Sequence, residues 1–82
     1  MTAWKSVLPP GARSAFHRHD HGRTVVGIVG GDLKIVTKDG HTRVTHYEAG
    51  RAYWFGPDPP GETHIDLNDT PMPIEVIVVE LK

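Results

Sequence analysis

Gly11-Ala12-Arg13-Ser14-Ala15-Phe16-His17-Arg18-His19-Asp20-His21-Gly22-Arg23-Thr24-Val25-Val26-Gly27-Ile28-Val29-Gly30 is the stretch from which the rest of the chain is read. It opens behind a Pro9-Pro10-Gly11 stop, so a strand ends before it and a new one starts inside it. Residues 14–19 read as that strand. Side chains alternate faces along a strand, so His17 and His19 point the same way, about 6–7 Å apart at Cβ. That spacing lets two imidazoles reach one ion, and imidazole suits zinc, iron, copper and nickel. Residues 24–29 form an apolar run that Gly30-Gly31 stops.

Outward from there the chain keeps the same habit. Nine Gly and seven Pro cut it into short pieces, and Val and Ile number 14 against nine Leu and Ala, a bias towards the pleated surface of a strand. Further strands are expected over residues 3–8, 33–37, 42–47, 52–55, 63–67 and 74–81. Lys38-Asp39-Gly40-His41 joins residues 33–37 and 42–47 as a hairpin. With residues 14–19 and 24–29 this makes about eight strands and no helix, an all-β sandwich or barrel.

The whole chain, residues 1–82, is expected to be one domain. Eighty-two residues with 38% hydrophobic content make a thin core. Cysteine is absent, so disulfides, thiolate nucleophiles and cysteine-type zinc sites are excluded. Small scaffolds without disulfides lean on a metal, on oligomerisation or on close packing. Two runs are apolar on both faces, residues 25–29 and 74–79. A second subunit is the expected cover, making a homodimer. Net charge is −1, which argues against a basic nucleic-acid face. The longest stretch free of Gly and Pro is about ten residues, short of a membrane span. A cytoplasmic location is expected, with no membrane or nucleic-acid partner. Glycine-rich phosphate loops and Ser-His-Asp arrangements are absent.

A second signal stands far along the chain. Pro59-Pro60-Gly61-Glu62-Thr63-His64-Ile65-Asp66-Leu67-Asn68 is a tight turn feeding a strand that begins with His64. Asp66 shares a face with His64, and Ile65 and Leu67 take the other. Tyr53, Trp54 and Phe55 also alternate, with Tyr53 and Phe55 together. His21, His41 and His46 read as rim or surface residues.

On these two stretches the chain resembles the cupin superfamily, over roughly residues 7–81. The first cupin motif runs Gly, five residues, His-x-His, three or four residues, Glu, six residues, Gly. Here it is matched by Gly11, His17-Arg18-His19, Arg23 and Gly30. The second ends Pro-x-Gly, two residues, His, three residues, Asn, matched by Pro59, Gly61, His64 and Asn68. Gly50 would open it, with a loop three residues longer than usual. The resemblance implies a small antiparallel jelly-roll barrel. It also implies one divalent transition metal (Fe, Mn, Ni or Zn) held by His17, His19 and His64.

Arg23 departs from the pattern, because a guanidinium has no lone pair to offer a metal. Beside a cation it repels by about 4 kcal/mol per unit charge at 4 Å and an effective dielectric of 20. So Arg23 either turns away from the site or is neutralised by an acid or a bound anion. Asp66 has three open roles beyond solvation: replacement ligand, partner of Arg23, or the group that orients a histidine. The resemblance therefore implies a metal-dependent enzyme acting on a small anionic metabolite. Arg23 and Asp66 are its candidate catalytic residues. Arg23, Tyr53 and Phe55 are its candidate substrate contacts, and dioxygenase, isomerase and lyase chemistry are all open. The alternative is a non-catalytic cupin that binds or senses a small ligand in a metal-free site.

Overall fold

Short β-branched runs between turn residues fold here as seven strands, in a computed structural model that describes residues 1–81. They are β1 (Thr2–Leu8), β2 (Arg23–Val29), β3 (Gly31–Thr37), β4 (Thr42–Tyr47), β5 (Ala52–Phe55), β6 (His64–Leu67) and β7 (Ile74–Glu80). Two antiparallel sheets result, ordered β1-β7-β2-β5 and β4-β3-β6. Among the described residues no ladder joins the sheets, so the expected barrel is corrected to two sheets packed by their inner faces rather than a closed barrel. None of these elements is a helix long and apolar enough to cross a membrane.

Alternation decides what the sheets bury. Val25 on β2 and Ile74, Val76 and Val78 on β7 point inward from one sheet. Leu33 and Ile35 on β3 and Tyr47 on β4 point inward from the other. Each aliphatic side chain removed from water contributes about 1.5–3 kcal/mol, so this one layer carries most of the stability. The outer face is less covered than the two-sided apolar runs suggest. Trp54 is 60% exposed and Ile28 42%. Ile28 reaches solvent because the β2–β7 register shifts between Gly27 and Val29, leaving it as the unpaired residue of a bulge.

The count of eight strands is corrected to seven. Residues 14–19 do not form a strand; the chain here pairs with β6 as two isolated bridges, Arg13↔Leu67 and His17↔His64, rather than as a ladder. Side chains take over the ladder there. Ser14 Oγ accepts the Asp66 N–H at 2.9 Å, and the His17 ring bonds the Ala15 carbonyl at 2.9 Å. Such local bonds compete with regular pairing. Two glycines do work that no other residue would do as cheaply. Gly11 (φ 77°) and Gly61 (φ 80°) occupy left-handed backbone conformations at the turns that open each histidine-bearing segment.

Candidate metal centre

His17 and His64 come from opposite ends of the chain and meet as an antiparallel bridge. The His17 N–H donates to the His64 carbonyl at 2.9 Å, and the His64 N–H to that of His17 at 2.8 Å. Their rings stand 4.5 Å apart, with His19 at 5.2 Å from His17 and 5.8 Å from His64. One nitrogen from each of the three lies within 4.8 Å of the other two.

Hydrogen bonds to the far side of the rings choose which nitrogen faces inward. His17 Nδ1 donates to the Ala15 carbonyl at 2.9 Å, and His19 Nδ1 to Glu80 Oε1 at 2.6 Å. Each bond puts the proton on Nδ1 and leaves the lone pair on Nε2. His64 is 2% exposed, and its Nδ1 has no hydrogen-bond partner; Asp58 Oδ2, at 3.6 Å, is the acid it faces. Burial first, then the neighbouring His17, hold the His64 imidazole below its ordinary pKa, an effect that Asp66 and Asp58 offset in part. A ring kept neutral is a ring with a lone pair to give.

Arg23 is the first residue of β2 and shares the inward parity of Val25, so it faces the site rather than turning away. Its guanidinium lies 5.3 Å from the centre of the Phe55 ring. Of the roles open to Asp66, pairing with Arg23 is not the one seen: Asp58 is the acid beside Arg23, with Nη1 and Oδ1 3.8 Å apart. The proline-rich turn brings it there: the Asp58 N–H donates to the His19 carbonyl at 2.9 Å, and Asp58 Oδ2 accepts the His19 N–H at 2.7 Å. Arg18, pointing away from its histidine neighbours, clamps that turn. It donates from Nη1 to the carbonyls of Pro59 (2.9 Å) and Glu62 (3.1 Å), and from Nη2 to that of Asp58 (3.4 Å).

Asp66 stays beside the histidines. Its carboxylate is 3.5 Å from His17 Nε2 and 4.0 Å from His64 Nε2. Phe55 lines the cavity, whereas Tyr53 packs against the core and its hydroxyl accepts the Glu48 N–H at 3.0 Å. Asn68 is fully buried and structural, donating to the Leu8 and Met72 carbonyls at 2.8 Å each. His21 is exposed, and His41 and His46 pair on the surface with Asp39 and Asp32. Sequence reasoning missed Asp58 and Glu80. Asp58 sits in Gly56-Pro57-Asp58-Pro59, which reads as turn punctuation, and Glu80 is the polar end of an apolar strand. A second group, Asp58, Glu62 and His64, also lies within metal-binding distance, on the Asp58 side of His64.

His17, His19, Arg23, Phe55, His64 and Asp66 line a cavity of about 470 Å³, with Val25, Leu33, Ile35 and Val78 among its apolar walls. The donor set fits a transition metal. Two imidazoles are locked with Nε2 free, the third is buried and neutral, and all three converge.

No family model matches the chain, and no curated protein matches it. Solved structures do. A cupin domain from Bordetella pertussis is 24% identical with a TM-score of 0.82, over 98% of this chain and 79% of that one. A Cupin 2 conserved barrel domain protein from Salinispora arenicola is 26% identical, TM-score 0.66, over 98% of this chain and 61% of that one. A protein with a double-stranded β-helix domain from Klebsiella pneumoniae is 29% identical, TM-score 0.64, over 95% of this chain and 64% of that one. The chain thus spans less than two thirds of the last two. In fold this protein is a small cupin. Other structures of the same fold include a sugar phosphate isomerase, a polyketide cyclase and a DMSP lyase, at 24%, 20% and 18% identity. These share the fold alone, and a fold does not choose among chemistries.

Proposed function

We propose that this protein is a metal-dependent cupin enzyme of the dioxygenase, isomerase or lyase type. It acts on a small anionic metabolite and works in the cytoplasm. The observation that carries the proposal is the convergence of His17, His19 and His64, with Nε2 left free on the first two by bonds to Ala15 and Glu80. These residues would hold one divalent transition metal, which when bound supplies a Lewis acid for a substrate oxygen.

The rest of the site does what protein side chains do. Arg23 carries a buried Nη1 without a hydrogen-bond partner, and it offers that donor to the anionic group of a substrate. Phe55 holds the guanidinium plane from below. Burial, and after it the charge of Asp66, push the Tyr47 hydroxyl up to about 12, so at neutral pH it remains a donor on the cavity wall. The aliphatic walls lower the local dielectric, which strengthens each of these interactions. A homodimer formed through the outer face of the β1-β7-β2-β5 sheet is part of the same proposal, because Val7, Ile28 and Trp54 stand exposed there.

Elemental analysis of the untagged protein, with calorimetric titration of iron, manganese, nickel and zinc, tests the reading. One ion per chain is expected, lost in His17→Ala, His19→Ala and His64→Ala but kept in His41→Ala and His46→Ala. A chain that takes up none of these ions refutes it. The second reading, a ligand-binding cupin without metal, would then stand, and Arg23 in the position of the cupin glutamate favours it.

A further inference from the structure

We propose that Asp66 is a fourth ligand of the metal centre, so that the acid missing from the first motif is supplied from β6. The inference rests on the metal-centre reading above. Its basis is a set of acceptors with no proton to share. His17 Nδ1 carries its ring's proton to Ala15, so the Nε2 facing Asp66 is a lone pair. His64 Nε2 is the ring's inward atom, opposite the Nδ1 that faces Asp58. A carboxylate and the His17 lone pair repel one another when nothing lies between them.

Their separations of 3.5 and 4.0 Å are long for hydrogen bonds. The 3.5 Å between Asp66 Oδ2 and His17 Nε2 is close to what one shared ion imposes, while the other oxygen, Oδ1, is the one that faces His64 Nε2 at 4.0 Å. Donors held at about 2.1 Å and at tetrahedral angles stand roughly 3.4 Å from each other. A cation at that point turns a repulsive cluster into a binding site.

Two of the other acids nearby are already engaged, and Glu62, whose Oε2 has no hydrogen-bond partner, groups with Asp58 and His64 rather than with the three histidines. Glu80 accepts from His19 Nδ1 on the outer side of that ring. Asp58 faces the opposite nitrogen of His64, accepts the His19 N–H and stands beside Arg23. Asp66 is therefore free of the guanidinium, the role in which it could have been consumed. Its backbone is also fixed. Asp66 pairs with Ile35 in the β3–β6 ladder, its N–H bonds Ser14 Oγ, and its carbonyl accepts the Ser14 N–H, both at 2.9 Å. Three neutral imidazoles leave both charges of a divalent ion uncompensated, and one carboxylate removes half of that.

Cobalt(II) titration of wild type, Asp66→Asn and Asp66→Cys tests this. Asp66 is a quarter exposed at its side chain, and apo-protein circular dichroism checks that each variant folds. Asp66→Asn is expected to weaken cobalt binding roughly tenfold or more and to alter the visible d–d spectrum. The chain has no cysteine, so in Asp66→Cys a thiolate-to-cobalt charge-transfer band reports direct contact from position 66 alone. Wild-type affinity and spectrum in Asp66→Asn overturn the proposal, and so does a cobalt-bound Asp66→Cys without the band. If wild type itself binds no cobalt, the metal-centre reading falls and this inference falls with it.

Discussion

Replacing Asp58 with alanine removes one carboxylate that serves three neighbours at once. It accepts the His19 N–H at 2.7 Å and stands 3.6 Å from His64 Nδ1 and 3.8 Å from Arg23 Nη1. Side-chain exposure is 5% for Asp58 and 12% for Arg23, so bulk water is a poor substitute. A charge-assisted bond to a backbone amide is worth about 1.5–3 kcal/mol. The attraction to Arg23 is about 4 kcal/mol at this separation and an effective dielectric of 20. Desolvation offsets part of that, and removing one member of a buried pair costs about 3–5 kcal/mol. The two contributions share one charge and do not add, so the expected loss is about 3–5 kcal/mol. A chain of this length has a total stability of roughly 4–12 kcal/mol, and Asp58→Ala should therefore lower the urea midpoint by about a quarter or more. Adding Arg23→Leu to Asp58→Ala removes the stranded guanidinium and should recover 1 kcal/mol or more, roughly the coupling of contacting residues. An Asp58→Ala chain within about 1 kcal/mol of wild type refutes the reasoning, as does strict additivity of the two substitutions.

Arg18→Ala should release the turn over residues 56–62, since its guanidinium bonds three carbonyls there; faster amide exchange confined to that turn and to His19 is the expected result. The Tyr47 hydroxyl is held up at about 12 against an ordinary 10, so the stability it contributes is complete below pH 10 and is lost as pH rises through 12. Alkaline absorbance titration should find one of the two tyrosines ionising late, and earlier in Asp66→Asn. Light scattering at micromolar concentration should give a dimeric mass, and Trp54→Glu should return the protein to monomer.

Much of this molecule is decided by residue type and spacing alone. Alternating β-branched runs between Gly and Pro determine an all-β fold, because each run can bury only one face or needs a second layer. The Asp39-Gly40 turn determines the β3–β4 hairpin. Gly11 and Gly61 mark where the chain must turn, and His17, His19 and His64 are legible as a ligand set because two motifs place them. What the sequence could not carry is anything that depends on which segments lie back to back. Residues 14–19 alternate like a strand, yet Ser14 and His17 spend their side chains on backbone groups and break the ladder. Arg23 and Asp66 have opposite charges on facing strands, yet a proline-rich turn interposes Asp58 and takes the guanidinium. Asp58 and Glu80 read locally as a loop residue and a strand end. Only the tertiary structure sets them behind His64 and His19, because electrostatic pairing is determined by distances of a few ångströms between segments far apart in the chain, and one-dimensional spacing does not encode those distances.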